Sequence, residues 1–167
     1  PPPSTTLFPY TTLFRSVYFD PRWGGPGKVV FDELIDWTVH ADTGIRYYSG
    51  TAVYHKELNL AMPAQNERLL LRFPRLGSLA RVWVNGKEVV TVWCSPWEAD
   101  ITSYVHEGKN NLKIEVVNSL MNRMIGDASL PESERFTYAY PQIVTPTDKL
   151  VPSGIMEQLN LVYRQYQ

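Results

Sequence analysis

Cysteine is nearly absent from this chain: Cys94 stands alone among 167 residues, which excludes an internal disulfide and any zinc site built from several cysteines. One thiol says little about the compartment. Histidine is scarce too, and His40, His55 and His106 lie far apart with no H-x-x-x-H or mixed Cys/His spacing. They read as ordinary core or surface histidines. No apolar run approaches the roughly 20 residues that a membrane helix needs, so no membrane partner is expected. There is no excess of one charge either. Sixteen Lys and Arg face 17 Asp and Glu, for a net charge of -1, and without a basic stripe to displace counterions no nucleic-acid partner is expected. Serine-hydrolase chemistry lacks its usual carrier, since Tyr48-Ser49-Gly50-Thr51 is not a G-x-S-x-G elbow. The glycine-rich Trp23-Gly24-Gly25-Pro26-Gly27 lacks the Lys-Ser/Thr and the strand-then-helix frame of a phosphate loop, and reads as a turn.

What is present is a set of short alternating segments. Arg81 to Asn85 alternates, Asn85-Gly86 offers the pair that most readily takes the positive φ angles of a type I′ turn, and Val90 and Val92 resume the alternation beyond it. That is a β-hairpin. Strands are expected at Thr51 to Leu60, Leu69 to Phe73, Leu79 to Asn85, Lys87 to Trp93, Asn111 to Asn118 and Gln158 to Arg164. Leu112, Ile114 and Val116 face one way and Lys113, Glu115 and Val117 the other, so one face is buried and one is wet. With no helix long enough for a βαβ crossover, the chain is expected to be all-β, an antiparallel β-sandwich of the jelly-roll kind. Its size fits a single core. Phe31, Leu34 and Ile35 predict one short helical turn capped by Asp32. The carboxylates of Asp32, Glu33 and Asp36 read as a solvated, capped turn rather than a metal cluster. From Asn122 to about Val151 the chain is rich in Pro, Ser, Thr and acidic residues without a period, and is read as a long excursion before the closing strand. Loops of that length are usually functional or form an interface.

Two stretches carry a resemblance. A strand ending in VWVNG, a loop with aromatics and Pro, the turn Asp100-Ile101-Thr102 and then Gly108-Lys109-Asn110 resemble the sugar-binding jelly roll of family 2 glycoside hydrolases. Val117 to Asp127, with Leu130-Pro131-Glu132 behind it and Tyr47 to Leu60 ahead, is similar to the C-terminal β-sandwich of bacterial α-L-rhamnosidases of glycoside hydrolase family 106. The likeness spans nearly all of Val17 to Val162. It implies a galactose-binding-domain-like fold, no cofactor, a structural calcium of the kind related jelly rolls hold, and a periplasmic or secreted location. It also implies a partner, the catalytic barrel of the same polypeptide, because the acid and base of these families sit on a separate α/β barrel. Carbohydrate is the other partner to consider.

The first sixteen residues fit neither a secretory signal nor the family. Thr6 to Ser16, TLFPYTTLFRS, reads like the in-frame translation of a common short-read sequencing adapter. Residues 1–16 are therefore expected to be a non-native tail, and 17–167 a single domain cut from a longer enzyme. Two functions remain open: a non-catalytic accessory domain of a rhamnosidase-like hydrolase, or a sugar-binding module, autonomous or of the family 2 kind. Trp93, Trp97, Asp100, Asn122 and Arg123 are the candidates for touching substrate or the barrel, since aromatic faces stack on sugars while amides, carboxylates and guanidinium groups reach hydroxyls. Both tryptophans could equally be core. Asp100 could be a turn cap. Asn122 and Arg123 lie just past a strand end, where loops carry function.

Overall fold

In a computed structural model, which describes residues 5–8, 16–139 and 143–166, the chain folds as two antiparallel sheets packed face to face. Among the described residues the strands are β1 (Thr5–Phe8), β2 (Ser16–Phe19), β3 (Gly27–Val30), β4 (Thr51–Leu60), β5 (Glu67–Arg72), β6 (Leu79–Val84), β7 (Lys87–Val92), β8 (Glu98–Asp100), β9 (Gly108–Val117) and β10 (Asn160–Gln165). Six of them form one sheet in the order β3-β2-β4-β9-β6-β7, and four form the other in the order β1-β10-β5-β8. Among the described residues helix is limited to α1 (Thr43–Arg46), α2 (Met121–Asp127) and single 3-10 turns. The expected jelly-roll sandwich is what the chain builds.

The period of two in the sequence becomes the core. Leu112, Ile114 and Val116 of β9, Val82 and Val84 of β6, and Ala52 and Tyr54 of β4 are buried on the inner face of the larger sheet. Leu69 and Leu71 of β5, with Leu161 and Tyr163 of β10, close over them from the smaller one. At one side Trp37 seals the interior, edge-on to Phe19 at 5.1 Å, with its Nε1 donating to the Tyr54 hydroxyl at 3.1 Å. Burial pushes the Tyr54 phenol well above its usual pKa, so it stays a neutral hydroxyl. Gly154, at φ +84°, is required beside this indole because a Cβ there would fall 2.3 Å from Trp37 Nε1.

The hairpin turn forms as expected, with Asn85 at φ +52°, Gly86 at φ +80° and Val84 paired to Lys87. Beyond it the alternation slips. A bulge between Val82 and Trp83 shifts the register, so that Val82 opposes Val90 and Trp83 opposes Glu88. Val89 thus packs on the core while Val90 is exposed, the reverse of what strict alternation gives. The helical turn expected over Phe31 to Ile35 is also absent: Asp32 caps nothing there, and Asp36 instead caps the 3-10 turn Trp37–Val39 through Thr38. The expected tail lies largely outside the described residues, apart from Ser16 at the start of β2 and β1, which runs antiparallel along β10 from Thr5 opposite Arg164 to Phe8 opposite Leu161.

Replacing Asn85-Gly86 by Ala-Ala forces two Cβ-bearing residues into positive φ, and roughly 1 to 3 kcal/mol of stability is expected to go; an unchanged urea midpoint would place the turn elsewhere. Removing residues 1–15 is expected to shift the thermal midpoint by no more than a few degrees, because a four-residue edge ladder gains little over the entropy of ordering it. A larger fall would make β1 an integral strand.

Candidate functional site

Strand registers gather most of the irregular chain at one end of the sandwich. Thr51 at the start of β4 and Leu79 at the start of β6 both lie opposite Val117 at the end of β9; Phe19, ending β2, lies opposite Ala52, and Val92, ending β7, opposite Ala80. The loops from Asp20 to Pro26, from Trp37 to Gly50, from Asn118 to Leu159 and from Trp93 to Trp97 therefore all leave from this end. Trp93, Trp97, Asn122 and Arg123 belong to it. Asp100 does not, because β8 carries it away from Phe73 toward Thr102.

Among the five candidates the roles divide sharply. Trp93 is 68% exposed, at the β7 edge of the sheet. Trp97 packs partly buried against the core, and its carbonyl accepts from the Phe73 amide at 2.8 Å. Asp100 behaves as a turn cap: its Oδ1 accepts from the Thr102 amide at 3.1 Å and the Thr102 hydroxyl at 2.6 Å, while Oδ2 meets Arg68 at 3.3 Å. Asn122 is fully buried and clamps the excursion. Its Nδ2 donates to the Val151 carbonyl at 2.8 Å and its Oδ1 accepts from the Val151 amide at 2.8 Å, so the side chain pairs with Val151 as a neighbouring strand would.

Arg123 and the unforeseen Asp127 share the inner face of α2. Asp127 Oδ2 accepts from the Phe136 amide at 3.0 Å, the Thr137 amide at 2.7 Å and the Thr137 hydroxyl at 2.7 Å, which folds the excursion back over the helix. Arg123 Nε lies 3.0 Å from Asp127 Oδ1, near enough for an ion pair but too bent to be a hydrogen bond. Arginine before aspartate runs against the helix dipole, so the pair is not there to stabilise the helix. The Arg123 amide donates to Ser49 Oγ at 3.0 Å, and its guanidinium lies 5.1 Å from the Phe136 ring and 5.9 Å from that of Tyr47. Gly126 permits this closeness, since a Cβ there would meet the Tyr47 ring at 2.6 Å. The Arg123 to Asp127 spacing was open to view in the sequence. Ser49 and Phe136 carried no local signal.

Carboxylates elsewhere are similarly committed. Glu98 receives Arg72 at 3.1 Å and Arg164 at 3.2 Å, and Asp42 caps α1 through Gly44 at 2.7 Å. Among the described residues no group of three or more His, Cys, Asp or Glu is placed to hold a metal ion. A groove of about 510 Å³ crosses the wet face of the larger sheet beside His55, Glu57, Asn111 and Trp83. The Lys113 ammonium lies 3.9 Å from the centre of the Trp83 ring and pairs with Glu115 at 3.0 Å.

With this geometry in place, residues 23–164 match the family described as Glycosyl hydrolases family 2, sugar binding domain. The chain belongs to that family. It is similar to the rhamnosidase from Novosphingobium sp. PP1Y, with 32% identity and a TM-score of 0.83 over 89% of this chain and 14% of that one. A Formosa agariphila protein named "Putative beta-glucuronidase" is 42% identical over 106 residues, 62% of this chain and 9% of its own length. The Ruminococcus gnavus beta-glucuronidase in complex with uronic isofagomine shares the fold, with a TM-score of 0.63 at 22% identity over 96% of this chain and 28% of that one. This family 2 sugar-binding domain thus spans a small fraction of the proteins it matches. Both likenesses seen in the sequence, to family 2 and to rhamnosidases, are borne out.

The buried clamp predicts a contrast. Asn122→Ala removes both hydrogen bonds that this fully buried side chain makes to Val151 and leaves a cavity in its place, and is expected to cost about 1 to 3 kcal/mol. Trp93→Ala is expected to stay within about 0.5 kcal/mol of the parent in urea unfolding, as exposed positions do. Equal losses would contradict the division of roles.

Proposed function

We propose that this domain is a non-catalytic accessory β-sandwich of an α-L-rhamnosidase that acts on plant or microbial glycans, docked on a catalytic barrel supplied by the same polypeptide. The fit to the Novosphingobium rhamnosidase over 89% of the chain carries the reading, because that fit takes in both sheets and the excursion. The exposed indole of Trp93, at the β7 edge of the end from which the excursion also leaves, supports it as the docking surface: a large apolar side chain left in water is better explained by a covering neighbour than by a pocket that reads hydroxyls. The buried roles of Asn122, Arg123 and Asp127 support it as well. They hold a shape: the Asp127 carboxylate is taken up by Arg123 and by the Phe136 and Thr137 groups it anchors.

A second reading has an observation of its own. The 42% identity to the Formosa protein favours a β-glycosidase of family 2 in which the same domain serves a glucuronidase. In either case the catalytic groups belong to another domain.

The purified chain is expected to release no product from aryl α-L-rhamnosides, and calorimetric titration with rhamnose or rhamno-oligosaccharides is expected to give no binding tighter than millimolar, about −4 kcal/mol. Turnover abolished by a single carboxylate substitution, or micromolar binding lost in Trp93→Ala, would overturn the accessory reading. Expression of the longer reading frame and assay on aryl rhamnosides against aryl glucuronides separates the two parent activities.

A further inference from the structure

The groove on the wet face of the larger sheet, about 510 Å³ in volume, owes its walls to strand register. His55 of β4 lies opposite Lys113 of β9, and Lys113 opposite Trp83 of β6. Three neighbouring strands set His55 and the half-buried Trp83 about 10 Å apart. Between them the Lys113 ammonium rests 3.9 Å from the centre of the indole, held there by Glu115 at 3.0 Å. The next pair on this face sets Glu57 opposite Asn111.

Polar side chains at the loop end are spent on holding the fold, but two in this groove are not. Among the described residues neither the His55 imidazole nor the Asn111 carboxamide has a hydrogen-bond partner, and both residues are exposed. The Asn111 backbone is used instead: its amide donates to Asn85 Oδ1 and its carbonyl accepts from the Asn85 amide, both within 2.9 Å. That fixes where the free carboxamide starts. Lys113 pairs with Glu115, and Glu57 with Lys109 at 3.1 Å, so neither is left calling for a counter-ion. Gly86 forms the wall at the hairpin turn, with nothing within 4 Å of where a Cβ would sit, and the groove is open there.

Such a set matches one ligand chemistry. A pyranose with equatorial hydroxyls shows C–H groups on its faces and hydroxyls round its rim; an indole meets the first, while an imidazole, a carboxamide and a carboxylate meet the second. An acyl chain would leave these polar groups unpaired, and an ion would meet charges already balanced. We propose that the groove binds a neutral, equatorially substituted pyranose of a glycan chain, such as a glucosyl unit. Trp83 takes the C–H face, and His55, Glu57 and Asn111 take hydroxyls. The site lies toward the Asn85-Gly86 turn, whereas Trp93 follows the far end of β7, so a glycan and a docked neighbour can be held together. It goes beyond the accessory reading and fails separately from it: aryl-rhamnoside turnover would sink that reading and leave the groove untouched.

The test follows the Trp83 indole N–H in ¹⁵N spectra of the whole chain. Its signal is assigned by loss in Trp83→Phe or, should that variant not fold, by through-space contacts to Lys113. Cellotetraose at roughly 10 mM, in the weak range expected of so open a groove, is expected to shift it and to leave the Trp93 signal in place. Sorbitol, which carries hydroxyls without a ring face, is expected to move neither. Asn111→Ala, at an exposed position whose backbone pairing is kept, is expected to weaken cellotetraose binding at least about threefold, the loss of one hydrogen bond. An unmoved Trp83 signal, an equal response to sorbitol, or full affinity in Asn111→Ala overturns the proposal.

Discussion

A long stretch of irregular backbone has to find partners for its amides and carbonyls without the help of a sheet, and the end of this sandwich is organised by that requirement. Asn122 meets it for Val151 with a two-way side-chain pairing, Asp127 meets it for Phe136 and Thr137, and Asn118 meets it for Tyr48 by donating to its carbonyl at 3.1 Å. All three belong to one short segment that follows β9. The excursion is long, but polar side chains on α2 hold it down at points far apart in sequence. From there the chain is led to Ser153, whose carbonyl accepts from the Trp37 amide, and to Ile155, bridged to Leu76. Only after these contacts does β10 enter the smaller sheet in register with β5.

This explains why the family-like motif is polar and yet carries little surface. Side chains that capture backbone groups are as constrained in identity as those that capture ligands: aspartic acid at position 122 would face the Val151 carbonyl with a second acceptor, and leucine would satisfy neither group. Arg123 is the exception within the motif, since its amide is used by Ser49 while its guanidinium pairs with the Asp127 carboxylate.

What could be read in the sequence follows the range of the forces that set it. β4 and the Asn85-Gly86 hairpin obey a period of two and a local turn rule, so their limits were visible within a few residues of chain. The bulge opposite Val82 and Trp83 was not, because the extra residue, Val89 of β7, is fixed by pairing across to β6 rather than by either strand alone. α2 was hidden for a related reason: seven residues with five buried positions, two of them charged, show no amphipathic stripe. Among the candidate residues, the turn-cap alternative for Asp100 and the core alternative for Trp97 turned out to describe their surroundings, whereas Trp93 stands in solvent. Sequence could name Asn122 and Arg123 as special, but whether they face in or out depended on Ser49, Val151 and Phe136, each distant along the chain.

The place of β10 in its sheet bears on how the protein is made. Leu71 of β5 pairs with Leu161, and in between lie the whole hairpin, β9 and the excursion. A ribosome adding roughly 5 to 20 residues per second leaves one edge of β5 unpaired for about 5 to 20 s after it emerges. Its flanking Arg68 and Arg72 then act as gatekeepers, keeping a leucine-rich strand from pairing with a neighbouring chain until its own partner arrives.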